Sequence, residues 1–188
     1  MAVDPHTADH NQTKRFGVWM VIGMWIIVLW LLTGFFSKLY EHEHNPNRNI
    51  ATMVTDGGVR EVVLQRNRKG HYVSSGDING QPVTFMLDTG ASDISIPARV
   101  ASRLGLKKGA PLYFNTANGT VIGYSTVLNS VSIGDIALNN VRASINPNVS
   151  DMDILLGMSF LKHLEFTQRG DTLTLRQYPP SAAGDSPS

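Results

Sequence analysis

The chain has 188 residues, enough for one domain of ordinary size plus extras, and its 16 Lys and Arg stand against 15 Asp and Glu for a net charge of +1. So even a balance leaves no electrostatic footprint for nucleic acid. There is no cysteine, which excludes disulfides and thiolate metal sites and leaves the redox compartment open.

Residues 1–15 are polar, with Asp4, Asp9, Lys14 and Arg15 and no apolar periodicity, and are predicted to be a disordered tail. From Phe16 to Phe36 no charge interrupts 21 residues. As a helix this run is about 32 Å long, matching a bilayer core. A cleaved signal peptide is the rival reading, but Phe35-Phe36-Ser37-Lys38-Leu39-Tyr40 offers no small-residue cleavage site. The expectation is an uncleaved single-pass signal-anchor over 16–36. Lys14 and Arg15 abut one end and Lys38 the other, with Arg48 further on. The positive-inside rule therefore leans towards a cytoplasmic N-terminus, with the rest of the chain outside the cytoplasm, which in a bacterium is the periplasm.

Residues 37–58 carry Pro46, several Asn and Gly57-Gly58 without a sustained period, and read as a tether between membrane and domain. The Glu41-His42-Glu43-His44 run invites a metal reading. Two His separated by one residue suit neither a helical face nor the usual zinc spacings, so solvated linker is the reading, and no metal or cofactor is implied.

The domain is placed at 59–178, with 179–188 as a disordered tail. Val62-Val63-Leu64 and His71–Ile78 are read as strands of one hairpin around Asn67-Arg68-Lys69-Gly70. Asn79-Gly80 is a stronger hairpin signal and joins His71–Ile78 to Pro82–Leu87. Ile94-Ser95-Ile96 alternates as a strand, and a short helix with Val100 and Leu104 four apart follows up to Gly105. Leu112–Asn115 and Val121–Tyr124 flank the polar tip Thr116-Ala117-Asn118-Gly119-Thr120 as a hairpin. Then come Thr126–Ile133, a Gly134-Asp135 turn, and Ile136–Ile145 broken at Asn139-Asn140. Asp153–Gly157 repeats the apolar-strand-to-glycine pattern of Phe85–Gly90, with a short helix over Met158–Leu164. Leu164–Gln168 and Thr172–Arg176 close as a hairpin. So dense a run of short strands and turns argues an all-β domain closed on itself.

The chemistry centres on Phe85-Met86-Leu87-Asp88-Thr89-Gly90-Ala91-Ser92. An apolar strand delivers a carboxylate at its mouth, where an unpaired charge is costly. The Thr89 hydroxyl is expected to lock the turn, and Gly90 to allow close backbone approach. Alone, Asp-Thr-Gly also fits a strand-ending Asx turn with no further role. Asp153-Ile154-Leu155-Leu156-Gly157, about 70 residues downstream and roughly one small β-domain away, decides between the two.

Together these segments resemble the retropepsin-like aspartic proteases, over roughly Val62 to Leu175. The resemblance implies an all-β, retropepsin-like closed β-barrel with one or two short helices, here preceded by one transmembrane helix. It also implies an aspartic endopeptidase acting on protein or peptide substrates. Asp88 would be catalytic, with Thr89 interlocking two such loops and Gly90 offering backbone contact to substrate. Residues Thr116, Ala117, Asn118, Gly119 and Thr120 would be the tip of a flap over bound peptide. Leu156-Gly157 would pack against the catalytic loop. Ala91 fits the retroviral form of the motif; Ser92 departs from the acid frequent there, and Asp93 follows as either a substrate contact or a solvated turn acid.

Carboxylate-based peptide hydrolysis needs two acids sharing one proton around a water. This chain supplies one in the right setting, because Asp153 precedes its apolar run and Asp135 lies in a turn without Thr-Gly. A homodimer with two Asp88 side chains at its axis is expected. The alternative is a membrane-tethered, non-catalytic module of the same fold that grips extended peptides by strand addition.

Overall fold

The computed structural model describes residues 9–55, 57–116, 119–147 and 153–179. Of the expected disordered tails, 1–8 and 180–188 lie outside the described residues, whereas 9–15 are not disordered but form the first turns of a helix that continues into the apolar run. The chain divides into two compact units, Met1–His42 and Glu43–Ser188.

In the first unit lies most of helix α1 (Asp9–His44). Its stretch Gly17–Ser37 has a mean hydropathy of 2.2 and no buried part, with Trp19 and Trp30 71% and 75% exposed. An apolar stretch of this length is long enough to cross a membrane, as an anchor or a signal sequence.

The second unit is mostly β. Four antiparallel strands, β1 (Thr52–Val54), β2 (Arg60–Gln65), β10 (Glu165–Arg169) and β11 (Thr172–Gln177), form one sheet in the order β1-β2-β11-β10. From the inner strand β11, Arg176 bridges Glu61 on β2 and Glu165 on β10, at 2.6 and 3.2 Å. Hydrogen bonds from Tyr178 and Arg176 hold the Glu165 carboxyl below its ordinary range.

The other sheet contains β3 (Val73–Ile78), β4 (Gln81–Leu87), β5 (Ile94–Pro97), β6 (Pro111–Thr116), β7 (Gly119–Ile133), β8 (Ile136–Asn146) and β9 (Ile154–Leu156). Its order is β3-β4-β9-β5-β8-β7-β6, and β3 also pairs with β7 through Asp77↔Ser132 and Ile78↔Val131. That last pairing turns six strands into a closed barrel, which removes the edges an open sheet would expose. β6 stays outside, paired to β7 alone. Helices α2 (Ala98–Arg103) and α3 (Met158–Leu161) are short.

Alternation fills the barrel. Phe85, Ile94, Ile96, Leu128, Ile145, Ile154, Leu156 and Phe160 are each at most 1% exposed, and burying a side chain of this size stabilises by about 1.5–3 kcal/mol. The β3–β4 turn is the expected one: Asn79 and Gly80 take φ of 53° and 74° between paired Ile78 and Gln81, the left-handed pair that a two-residue hairpin needs.

Three expectations are corrected. The hairpin of residues 62–64 with 71–78 does not form. A single bridge, Arg66↔Tyr72, joins the segments before they part into different sheets, because β2 pairs instead with β1 and β11. The strands read as 121–124 and 126–133 are one strand, β7. The break at Asn139-Asn140 is only a skipped pair, where Asn140 takes φ 54° without a change of register.

The third concerns the tether. α1 continues to His44, and Asn45 and Asn47 are 5% and 6% exposed. Asn47 Nδ2 donates to Gln65 O and Val73 O at 2.9 and 2.7 Å, and its Oδ1 accepts from Gln65 N–H at 2.7 Å. Its side-chain amide thus satisfies backbone groups left open where β2 and β3 diverge. A polar composition reads as solvated linker, yet here polarity serves the interior of the fold.

Candidate active site

β9 is inserted between β4 and β5. It runs parallel to β4 in the register Phe85↔Ile154, Met86↔Leu155, Leu87↔Leu156, and meets β5 at Ser95↔Leu155. The chain leaving β4 must therefore pass over the end of β9 to begin β5. That crossing is the loop Asp88–Asp93.

Within the loop, Asp88 N–H donates to Leu156 O at 3.2 Å, and Ala91 N–H to Asp88 O at 3.2 Å. Asp88 Oδ1 accepts the Gly90 N–H at 2.9 Å. This is an Asx turn, so the carboxylate itself locks the turn; the Thr89 hydroxyl, exposed, does not. Asp88 is half-buried, while Thr89, Gly90 and Ser92 are exposed.

From the other side the loop is clamped by the residues after β9. Met158 N–H donates to Ala91 O at 2.8 Å, Ser159 N–H to Ser92 O at 2.9 Å, and Ile94 N–H to Ser159 Oγ at 3.1 Å. Gly157 makes this approach achievable: an added Cβ would lie 2.5 Å from Ala91 O and closer still to Asp93 O, inside any real contact distance. The expected packing of Leu156-Gly157 on the loop is what is found. Ser159 was not singled out from sequence, although a small hydroxyl residue two places after the glycine is the available signal.

Asp93 is neither free nor simply solvated. Its Oδ1 accepts from Arg142 Nε and Nη2 at 3.2 and 3.0 Å. The partner lies 49 positions away on β8 and is brought near because β5 and β8 pair in parallel, Ile94↔Ala143.

The expected flap is the β6–β7 hairpin, with Thr116↔Gly119 its last pair. Ala117 and Asn118 lie outside the described residues. Tyr113 and Ile122 face each other across it and are 70% and 47% exposed.

A hollow of about 700 Å³ lies elsewhere, lined by Lys108, Ser125 and Arg142 among others, and by none of residues 88–93. No group of three or more His, Asp or Glu able to hold a metal occurs among the described residues.

Residues 74–163 match the family described as "gag-polyprotein putative aspartyl protease". The chain is 35% identical over 180 residues to an uncharacterized protein in the cobV 5′ region of Sinorhizobium sp., covering 88% of this chain and 77% of that protein. It is 31% identical over 168 residues to the uncharacterized protein RP867 of Rickettsia prowazekii (strain Madrid E), covering 85% and 70% respectively. Among solved structures, a retropepsin-like aspartic protease from Rickettsia conorii superposes with a TM-score of 0.56 at 32% identity, over 69% of this chain and 96% of that one.

Proposed function

Because this chain belongs to the retropepsin-like aspartic proteases, we propose that it is a peptide hydrolase acting as a homodimer, with Asp88 of each copy forming the catalytic pair. The observation that carries this reading is the setting of Asp88. It ends a core strand on a braced loop, its carboxylate is half-open, and its hydrogen-bond partner among the described residues is the Gly90 amide and no second acid.

Two carboxyls about 3 Å apart cannot both ionise, so a pair holds one proton between them. The ionised member takes a proton from water as the water oxygen attacks the peptide carbonyl carbon. The protonated member gives its proton to the carbonyl oxygen, and the tetrahedral species then collapses with proton transfer to the leaving nitrogen. Thr89, exposed and with no side-chain hydrogen bond among the described residues, is suited to bond across the dimer axis. Gly90 and Ala91 present backbone to an extended substrate, and Thr116–Thr120 cover it. Asp93 contributes to substrate binding while shared with Arg142.

The apolar helix is read as a single-pass anchor, with the N-terminus cytoplasmic and the protease domain on the far face. Alkaline extraction and protease accessibility in intact cells test that placement: a soluble, unprocessed chain rejects the anchor, and a cytoplasmic domain rejects the orientation. For the activity, the full-length chain is incubated with a peptide library from acidic to neutral pH, beside Asp88→Asn. Hydrolysis by the wild type alone is expected. Equal cleavage by both proteins removes Asp88 from the chemistry, and tight binding without turnover replaces the hydrolase with a peptide-binding module.

A further inference from the structure

β9 is three residues long, yet it carries the carbonyl that receives Asp88 N–H and leads directly into the clamp of Gly157–Ser159. So short a strand does not fix its own position along its axis; its ends must be held. At the C-terminal end Gly157 is wedged under the loop. At the N-terminal end stands Asp153, whose Oδ2 accepts from His44 Nε2 at 2.6 Å. An ionised carboxylate has only acceptors to offer, so the imidazole N–H is the donor. The side chain of Asp153 is 13% exposed, that of His44 30%, and His44 Nδ1 is buried with no partner among the described residues.

His44 is itself immobilised. Its carbonyl accepts Asn67 Nδ2 at 3.0 Å, the neighbouring Glu43 pairs with Arg68 at 2.7 Å, and Asn45 Nδ2 donates to Ser75 Oγ at 3.1 Å. Together with the buried Asn47, these contacts root residues 43–47 in the junction of β2 and β3. The imidazole is thus a fixed post, and Asp153 is tied to it.

We propose that His44 and Asp153 are positioning residues for the Asp88 loop. The chain leading into the barrel holds the N-terminal end of β9, Gly157 holds its C-terminal end, and the strand stretched between them sets where Asp88 stands. The segment that composition marks as a tether then belongs to the support of the active site. For its kinetic consequence this rests on the hydrolase reading; its structural consequence is independent of that reading.

The test compares the full-length chain with His44→Phe, His44→Gln, Asp153→Ala and the double variant His44→Phe/Asp153→Ala. Amide hydrogen exchange is read in peptides covering 88–94 and 154–161, against 165–177 in the other sheet. A hydrogen bond to a charged group is worth on the order of tenfold in a local opening equilibrium. His44→Phe is therefore expected to raise exchange in the first two peptides about tenfold, with 165–177 unchanged. His44→Gln, which keeps an N–H donor, recovers most of the protection. Asp153→Ala reproduces His44→Phe, and the double variant adds little to either, as partners in one contact should behave.

In peptide hydrolysis kcat falls with KM nearly constant. Unchanged exchange at 88–94, an equal rise at 165–177, or a His44→Gln no better than His44→Phe overturns the proposal. Should His44→Phe fail to fold, Asp153→Ala decides by the same pattern, since it leaves the end of α1 intact. A wild type that hydrolyses nothing while exchange responds as described removes the hydrolase and leaves the positioning role standing.

Discussion

At the carboxyl ends of β4 and β9, side by side and parallel at Leu87↔Leu156, the chain does opposite things. One strand ends on Asp88, with a half-open carboxylate and exposed Thr89 and Gly90. The other ends on Gly157, which has no room for a side chain, and on amides pointed into its neighbour's loop. Placed alike, the first end presents an open carboxylate and the second removes everything that would keep that group's backbone from being held. The pair shows that presenting an acid and fixing its backbone are separable tasks, divided here between two copies of one strand-to-glycine pattern.

The division is broken most severely by Asp88→Asn. The amide keeps an oxygen for the Gly90 N–H, so the thermal midpoint should hardly move, while peptide hydrolysis falls by about 10³-fold or more. Gly157→Ala is next and reverses the signature. Its methyl has no space beside Ala91 O and Asp93 O, so chemical denaturation should report a loss of about 3 kcal/mol or more, with activity lost alongside. Leu156→Ala leaves the glycine and the carbonyl that holds Asp88 in place but empties a fully buried site. It should cost about 2–3 kcal/mol in urea unfolding, and kcat measured well below the midpoint should change little. Smallest is Arg142→Met: its side chain is 73% exposed, so stability should shift by only about 0.2–1 kcal/mol. A change in KM would show that Asp93, released, meets substrate.

Legibility followed the range of the forces involved. Asp88-Thr89-Gly90 and Ile154–Gly157 announce themselves because strand alternation and turn chemistry are local, and so does Asn79-Gly80. The identity of strand partners is not local, and there the reading slipped. Residues 62–64 were assigned to the wrong neighbour because adjacency in sequence favours a hairpin, whereas β2 finds β11 more than a hundred residues later. Asp93 was ambiguous for the same reason, since its partner Arg142 becomes a neighbour only through the β5–β8 pairing. Residues 37–58, with His44, Asn45 and Asn47 among them, read as a tether because composition registers polarity but not whether a polar atom answers water or a buried peptide group.

One consequence follows from the length of β7. Its fifteen residues, Gly119–Ile133, make a rod of about 50 Å whose far half closes the barrel against β3 and whose near half forms the β6–β7 hairpin. Just below that hairpin Gly109 N–H donates to Ser125 O and Ser125 N–H donates to Ala110 O, at 2.7 and 2.8 Å, so its base is gripped rather than looped. The near half is thus one continuous beam whose cross-strand support runs as far as Thr116↔Gly119. Gly123, sitting opposite Leu112, is where this beam is pinned: an added Cβ would lie 2.7 Å from the Phe114 ring and 2.9 Å from Ile145 O on β8, so the hairpin's base and the barrel wall share one close contact that only a glycine permits.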